Sequence, residues 1–237
     1  MKDLNLLLNT NSMDQYYGVI SEKTDDRDWL GSDFDLPRAP KGTSSFLLNG
    51  ATQYNQVECA PNSCTVHGAM GAYSDLTGYK FQLEERKEIW QEALNRGADP
   101  DVGWYISSAV KLVKEWVNKN CEDKVNYYRL DVGSGDFGMA MRLGYSPIVG
   151  YRGNATYSQD RADGVLDLTE IVDSTYAHCL RAGYFKGHLP TYATKVTQIV
   201  DNYPHRSTNL YLVPTSNWKK LVAGRVFFTS SYIYVLS

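Results

Sequence analysis

A cysteine stands where a helix is about to begin, and that placement constrains the chain more than any other feature. In Gln56-Val-Glu-Cys59-Ala-Pro-Asn-Ser-Cys64-Thr-Val-His-Gly-Ala-Met-Gly-Ala-Tyr, a Pro/Asn/Ser loop runs into Cys64, and small and apolar residues then recur at helical spacing. A helix N-terminus carries unpaired N–H groups and the positive end of the backbone dipole, which favour the reactive thiolate over the thiol. Gln56, just upstream, is a candidate oxyanion donor. His178, far downstream in Asp173-Ser-Thr-Tyr-Ala-His178-Cys-Leu-Arg-Ala-Gly-Tyr, is a candidate base. The bland alternative makes Cys64 a small buried hydrophobe. The ordered set of Gln, Cys, late His and a later Asp or Asn weighs against it.

Composition narrows the class. A chain of 237 residues can build one large domain or two intimate lobes. Its formal charge of −3 argues against a nucleic-acid partner. No basic-then-apolar N-terminal run and no apolar segment of membrane-spanning length is present, so neither a signal peptide nor a membrane partner is expected. That fits a protein made in the cytoplasm and retained there or packaged in a virion. The four cysteines (59, 64, 121, 179) are too few for a disulfide scaffold, and Cys59 with Cys121 is left open as a pair. With no CxxC and scattered histidines, neither a metal nor any other cofactor is expected. Tyrosine is abundant, 18 against 7 Phe, which suits half-wet surfaces and hints at contact with other macromolecules.

Residues 1–50 lack periodicity and read as an extended N-terminal arm, with 51–237 as the folded domain. Helices are predicted over 64–77, 82–96 (ended by Gly97) and 105–118. Val66, Met70, Tyr73 and Leu76 form the buried face of the first, and its small residues Gly68, Ala69, Gly71 and Ala72 allow close neighbours. The charges of the second read as a solvated face. Ile106, Val110, Val113 and Val117 line the third. Strands are predicted at Ser146–Arg152, Ala177–Phe185, Lys195–Asp201, Asn209–Val213 and Arg225–Val235. Helices first and strands later indicate an α+β protein.

A second motif competes for attention. Tyr127-Tyr-Arg-Leu-Asp-Val-Gly133-Ser-Gly135-Asp-Phe-Gly138 is a strand-like run followed by G-x-G-x-x-G, similar to a nucleotide or S-adenosylmethionine fingerprint. Its context is wrong. The helix that could follow, Met139–Leu143, is very short, the next strand ends in no acidic residue, and too little chain remains for a doubly wound sheet. The glycines are expected to form a turn into a short helix and to bind neither ligand.

Taken in chain order, the remaining motifs are Asn55-Gln56-x-x-Cys59 before Cys64; Gly103-Trp-Tyr-Ile-Ser-Ser-Ala109; Gly144-Tyr-Ser-Pro-Ile-Val-Gly-Tyr; Tyr157…Asp163-Gly-Val-Leu; Ala177-His178-Cys-Leu-Arg-Ala-Gly-Tyr184; and Gln198-Ile-Val-Asp201-Asn202-Tyr203. This order, over roughly residues 50 to 235, resembles the papain-like cysteine peptidases. The departures are two extra residues between Cys59 and Cys64, Thr65 where the family usually has an aromatic, Cys179 after the histidine, and Asp201-Asn202-Tyr203-Pro204 for the Asn-Ser-Trp-Gly turn. The resemblance implies a papain-like two-lobed fold, with a helical first lobe (about 51–125) whose central helix carries Cys64 and an antiparallel β second lobe (about 126–237). It also implies a thiol peptidase. Cys64 would be the nucleophile, His178 the base, Asp201 the orienting residue (Asn202 or Asn217 as alternatives), and Gln56 with the Cys64 N–H the oxyanion donors. A polypeptide substrate or protein partner would lie in a groove for which Tyr54, Trp104, Tyr105 and Tyr176 are lining candidates. His67 reads as a polar residue on the helix edge, and His188 and His205 as loop residues. A peptidoglycan-cleaving thiol amidase and a catalytically silent structural or binding module, for example of a virion, are the competing functions.

Overall fold

A computed structural model describes residues 54–131, 139–141, 143–152, 177–189, 192–200, 210–214 and 227–237, with side chains for 54–130, 139–141, 143–150, 178–182 and 231–237. The expected arm, Gly133–Gly138, and the residues Asp201, Asn202, Asn217, Tyr176 and His205 lie outside the described residues.

Helix α1 spans Cys64–Thr77, the bounds expected from its pattern. Every residue from Cys64 to Ser74 is buried, so the helix is enclosed all round rather than lying on one apolar face. Its small residues permit this. A Cβ on Gly71 would sit 2.6 Å from Nε and Cζ of Arg181, so only glycine leaves room for that side chain.

Helix α2 spans Leu83–Asn95, and the Glu85 carboxylate accepts a 2.7 Å bond from the Gln82 backbone N–H at its start. It ends before Gly97, whose φ of +96° lies in the left-handed region that glycine reaches without strain. Helix α3 spans Ile106–Asn120 and buries Ile106, Val110, Val113 and Val117 as its 3–4 spacing predicts. Each such side chain contributes roughly 1.5–3 kcal/mol relative to exposure.

Among the described residues six strands form one sheet: β1 (Val125–Asp131), β2 (Ile148–Arg152), β3 (Ala177–Leu189), β4 (Tyr192–Val200), β5 (Leu210–Pro214) and β6 (Phe227–Leu236). Their order is β1-β6-β2-β3-β4-β5, and every pairing is antiparallel. The five expected strands match β2 to β6. However, β3 continues past Phe185 to Leu189 through a register shift, which places His188 in a strand and not in a loop. The all-antiparallel pairing also sets the chain apart from the parallel sheet that a nucleotide fingerprint requires. Residues 139–141 form the short helical turn expected after the glycines.

Helices α1 to α3 precede the strands, giving an α+β protein. Helix α1 packs against α2, α3, β2, β3 and β6 and lies at the centre of the core. Tyrosines contribute to that core. Tyr73 stacks edge-on against Phe81 at 5.9 Å and Tyr234 at 6.5 Å, and the Tyr234 hydroxyl donates to Val110 O at 3.0 Å. Tyr54, Tyr73, Tyr232 and Tyr234 are buried, whereas Tyr79, Tyr127, Tyr128 and Tyr145 are half-buried and Tyr105 is exposed, so among the described residues tyrosine serves both the core and the half-wet surface expected of it. The buried rings fill wide gaps between layers, and a phenol is tolerated there when its hydroxyl finds a partner.

Candidate active site

The loop before Cys64 is folded onto itself. Asn55 caps a short 3-10 turn, Gln56–Glu58, by accepting from the Val57 N–H at 3.1 Å. The Gln56 carbonyl accepts from Cys59 N–H (3.0 Å), Ala60 N–H (2.9 Å) and the Ser63 hydroxyl side (3.3 Å). The Gln56 amide Nε2 donates to Pro61 O, which fixes the plane of the side chain and leaves its second N–H to offer. The two extra residues between Cys59 and Cys64 are therefore taken up by a closed turn, and Gln56 and Cys64 belong to one loop-and-helix unit. Ser63, the N-cap residue of α1, makes no side-chain cap to the helix N–H groups. Its Oγ lies 2.7 Å from Ala60 O and 2.9 Å from His67 Nδ1. The N–H groups at the head of α1 are thus not consumed by their own cap, which suits a site for a developing anion.

His67 departs from expectation: it is fully buried, not at a helix edge. Its Nδ1 faces Ser63 O at 3.0 Å as well as Ser63 Oγ. A carbonyl needs a donor, so the Nδ1-protonated tautomer fits and Nε2 is left as a buried acceptor without a hydrogen-bond partner among the described residues. Burial pushes the His67 pKa down to about 3, and the Arg86 charge acts in the same direction against the bond to Ser63. The neutral form is the one the fold accepts. Between the ordinary histidine value near 6.5 and about 3, the unfolded chain binds a proton that the folded chain does not. Stability is whole above that window and falls as pH drops through it, by at most about 1.4 kcal/mol per pH unit. Urea midpoints at several pH values should therefore drop more steeply on acidification for wild type than for His67→Gln. Parallel curves would contradict this.

Arg86 was expected on a solvated face and is instead buried. Its Nη1 donates to Asn55 O at 3.3 Å, its Nη2 meets the Glu58 carboxylate at 2.7 Å, and its Cζ lies 5.2 Å from the Tyr54 ring centroid. A signal was available: the buried residues of α2 are Arg86, Ile89, Trp90 and Ala93, spaced i, i+3, i+4, i+7, so Arg86 occupies the first slot of the apolar stripe. Asn62 anchors the other end of the loop through its amide to Pro100 O and Asp101 O, both at 3.0 Å.

His178 is the second residue of β3 and is buried. Strand β3 packs on α1, and Cys64 and Cys179 share one core cluster. The firmest tie between the two elements is an ion pair between Arg181 and Asp75, whose side chains are 0 % and 5 % exposed. Cys64, Gln56 and His178 are each at most 1 % exposed. Asp201 lies outside the described residues, but β4 ends at Val200, which pairs with Arg181.

Among the groove candidates, Tyr54 belongs to the core. Its hydroxyl lies 2.7 Å from Ser74 Oγ and accepts from Phe81 N–H at 2.8 Å, and its ring packs on Phe81. Trp104 is buried and Tyr105 is 39 % exposed at the head of α3. No disulfide joins Cys59 to Cys121 or any other two of the four cysteines. No group of three His, Cys, Asp or Glu residues is placed to hold a metal, and no helix is long and apolar enough to cross a membrane, among the described residues.

No protein family and no curated protein matches the chain by sequence. Solved structures do match it. Xylellain, a cysteine protease from Xylella fastidiosa, superposes with a TM-score of 0.59 at 13 % identity, over 92 % of this chain and 95 % of that one. Procathepsin B S9 from Trypanosoma congolense superposes with a TM-score of 0.57 at 9 % identity, over 97 % and 89 %. At such identities the likeness speaks of architecture, and it agrees with the helices-then-antiparallel-sheet order: this chain has the papain-like cysteine peptidase fold.

Proposed function

We propose that the chain hydrolyses peptide bonds by thiol catalysis, with Cys64 as nucleophile, His178 as base and acid, Asp201 as the orienting residue and Gln56 as oxyanion donor. The observation that carries this reading is the Gln56–Cys64 stretch: a closed turn carries the glutamine and leads directly into a helix whose first residue is the thiol and whose N–H groups its own cap leaves alone. Two features support the partners. Strand β3, with His178, packs directly on α1. Strand β4 runs antiparallel to β3 from Val196, opposite Phe185, to Val200, opposite Arg181, so its direction at Val200 is toward the end of β3 that carries His178, with Asp201 next in the chain.

In the reaction the Cys64 thiolate attacks the peptide carbonyl carbon. The oxygen that becomes negative is met by a Gln56 N–H and the Cys64 backbone N–H, each donor worth on the order of 3 kcal/mol in acyl transfer. The C–N bond then breaks as the imidazolium of His178 gives its proton to the departing amine, leaving a thioester. Water, deprotonated by His178, attacks the thioester. The acid is released and the thiol restored. Asp201 accepts the imidazole N–H and holds ring and tautomer. Polypeptide is the substrate class. Cleavage of fluorescently labelled casein by wild type, measured beside Cys64→Ala, tests the reading. Cleavage that survives the substitution would overturn it.

A further inference from the structure

We propose that Arg86 is a positioning residue for the oxyanion donor, a splint that holds the turn presenting Gln56 beside Cys64. This rests on the catalytic reading of Gln56 given above. The bonds made by Gln56 itself, to Cys59, Ala60, Pro61 and Ser63, close the turn on its own loop. Among the described residues, polar contacts hang that loop on the rest of the chain through Asn62, on the 99–103 segment, and through Arg86, on α2.

The three partners of Arg86 bracket Gln56 along the chain. The guanidinium lies over the ring of Tyr54, bonds the carbonyl of Asn55, and pairs with the carboxylate of Glu58. Its side chain is 9 % exposed while that of Glu58 is 44 % exposed, so the cation is fixed in the interior and the turn is drawn onto it. An apolar residue in that slot of α2 would pack equally well but could not bond two successive parts of the turn. A lysine would offer a point charge without the planar fork that reaches a carbonyl and a carboxylate together. A buried arginine on an otherwise apolar stripe is costly, and these contacts explain its presence.

The test is a double-mutant cycle on a peptidyl aminomethylcoumarin substrate, using wild type, Arg86→Met, Gln56→Ala and the double variant. Arg86→Met should lower kcat by about 100-fold, the scale of an ångström-sized misplacement, and shift KM by no more than about twofold. Arg86→Lys should not restore it. In the Gln56→Ala background the same Arg86→Met change should alter kcat by less than about threefold, because the donor it positions is already gone. Two effects that multiply in full would overturn the proposal, since Arg86 would then act elsewhere. If Arg86→Met does not fold by circular dichroism, Glu58→Gln replaces it, with a smaller fall in kcat that must likewise vanish in the Gln56→Ala background. A wild type that turns over no peptide would sink the catalytic reading but not the splint. The splint is then judged by the side-chain amide signals of Gln56 in a nitrogen-15 spectrum. They should be dispersed in wild type and collapse to free-amide positions in Arg86→Met, and unchanged signals would refute it.

Discussion

The Cys64→Ala protein should cleave casein on the order of 10⁴-fold or more slowly than wild type, the scale seen when a nucleophile is deleted and water must attack unaided. The fold should survive the change. Alanine removes one sulfur from an enclosed position, a cavity penalty on the order of 1 kcal/mol, while the loop that sets the site is held by Gln56, Asn62 and Ser63 rather than by the thiol. His178→Ala should fall to a similar floor, because residues that act as a unit lose their effect together. Asp201→Ala should lower kcat by about a hundredfold or more with the melting temperature nearly unchanged, since its role is to orient a ring. Asn217→Ala should remain within about threefold of wild type by the same argument. A larger loss at Asn202 or Asn217 than at Asp201 would show that the third member is assigned to the wrong residue.

Arg181→Met should destabilise the protein by about 3–5 kcal/mol, measured by urea unfolding. Arg181 is fully buried, passes the open backbone at Gly71 and pairs with the buried carboxylate of Asp75. Removing the guanidinium leaves that carboxylate in the interior without its cation, which costs far more than the lost packing. Pairing Arg181→Met with Asp75→Asn should recover much of the loss, because neither charge is then buried alone. Gly71→Ala approaches the same outcome from the other side. A methyl group 2.6 Å from the guanidinium must push it off Asp75, since an enclosed side chain has nowhere to retreat. A shift below about 1 kcal/mol for Arg181→Met would mean that the pair does not lock α1 to β3.

The elements that were legible in the sequence are those governed by local pattern. The bounds of α1 follow from a Pro/Asn/Ser loop meeting a run of small and apolar residues, and α3 from a clean Ile106, Val110, Val113, Val117 stripe. Strands β2 to β6 were legible in place and order but not in length, and β1 was visible only as a strand-like run before the glycines. The extension of β3 through His188 depends on pairing with β4 across a register shift, which no single segment encodes. What escaped were polar residues whose burial depends on partners far along the chain. Arg86 looks like one more surface charge until Asn55 and Glu58 are brought to it, 31 and 28 residues away. The Arg181–Asp75 pair joins residues 106 apart. His67 reads as an edge residue because helical periodicity assumes one wet face, and α1 has none. Tyr54 matched a groove-lining aromatic by type, but its hydroxyl is held by Ser74 and Phe81.

Mapping where iodoacetamide reacts at pH 6, by peptide mass spectrometry of a brief exposure, tests the central claim most directly. Accessibility alone ranks Cys59 first, because it is half-buried while Cys64, Cys121 and Cys179 are buried. Burial also pushes the Cys59 thiol up, which slows it at this pH. A Cys64 thiolate paired with His178 reverses the order, since the thiolate and not the thiol is the nucleophile that iodoacetamide captures. The account predicts that Cys64 is alkylated ahead of the other three and that His178→Ala abolishes the preference. Labelling led by Cys59, or slow and equal labelling of all four, would contradict it and leave a papain-like scaffold without thiol chemistry.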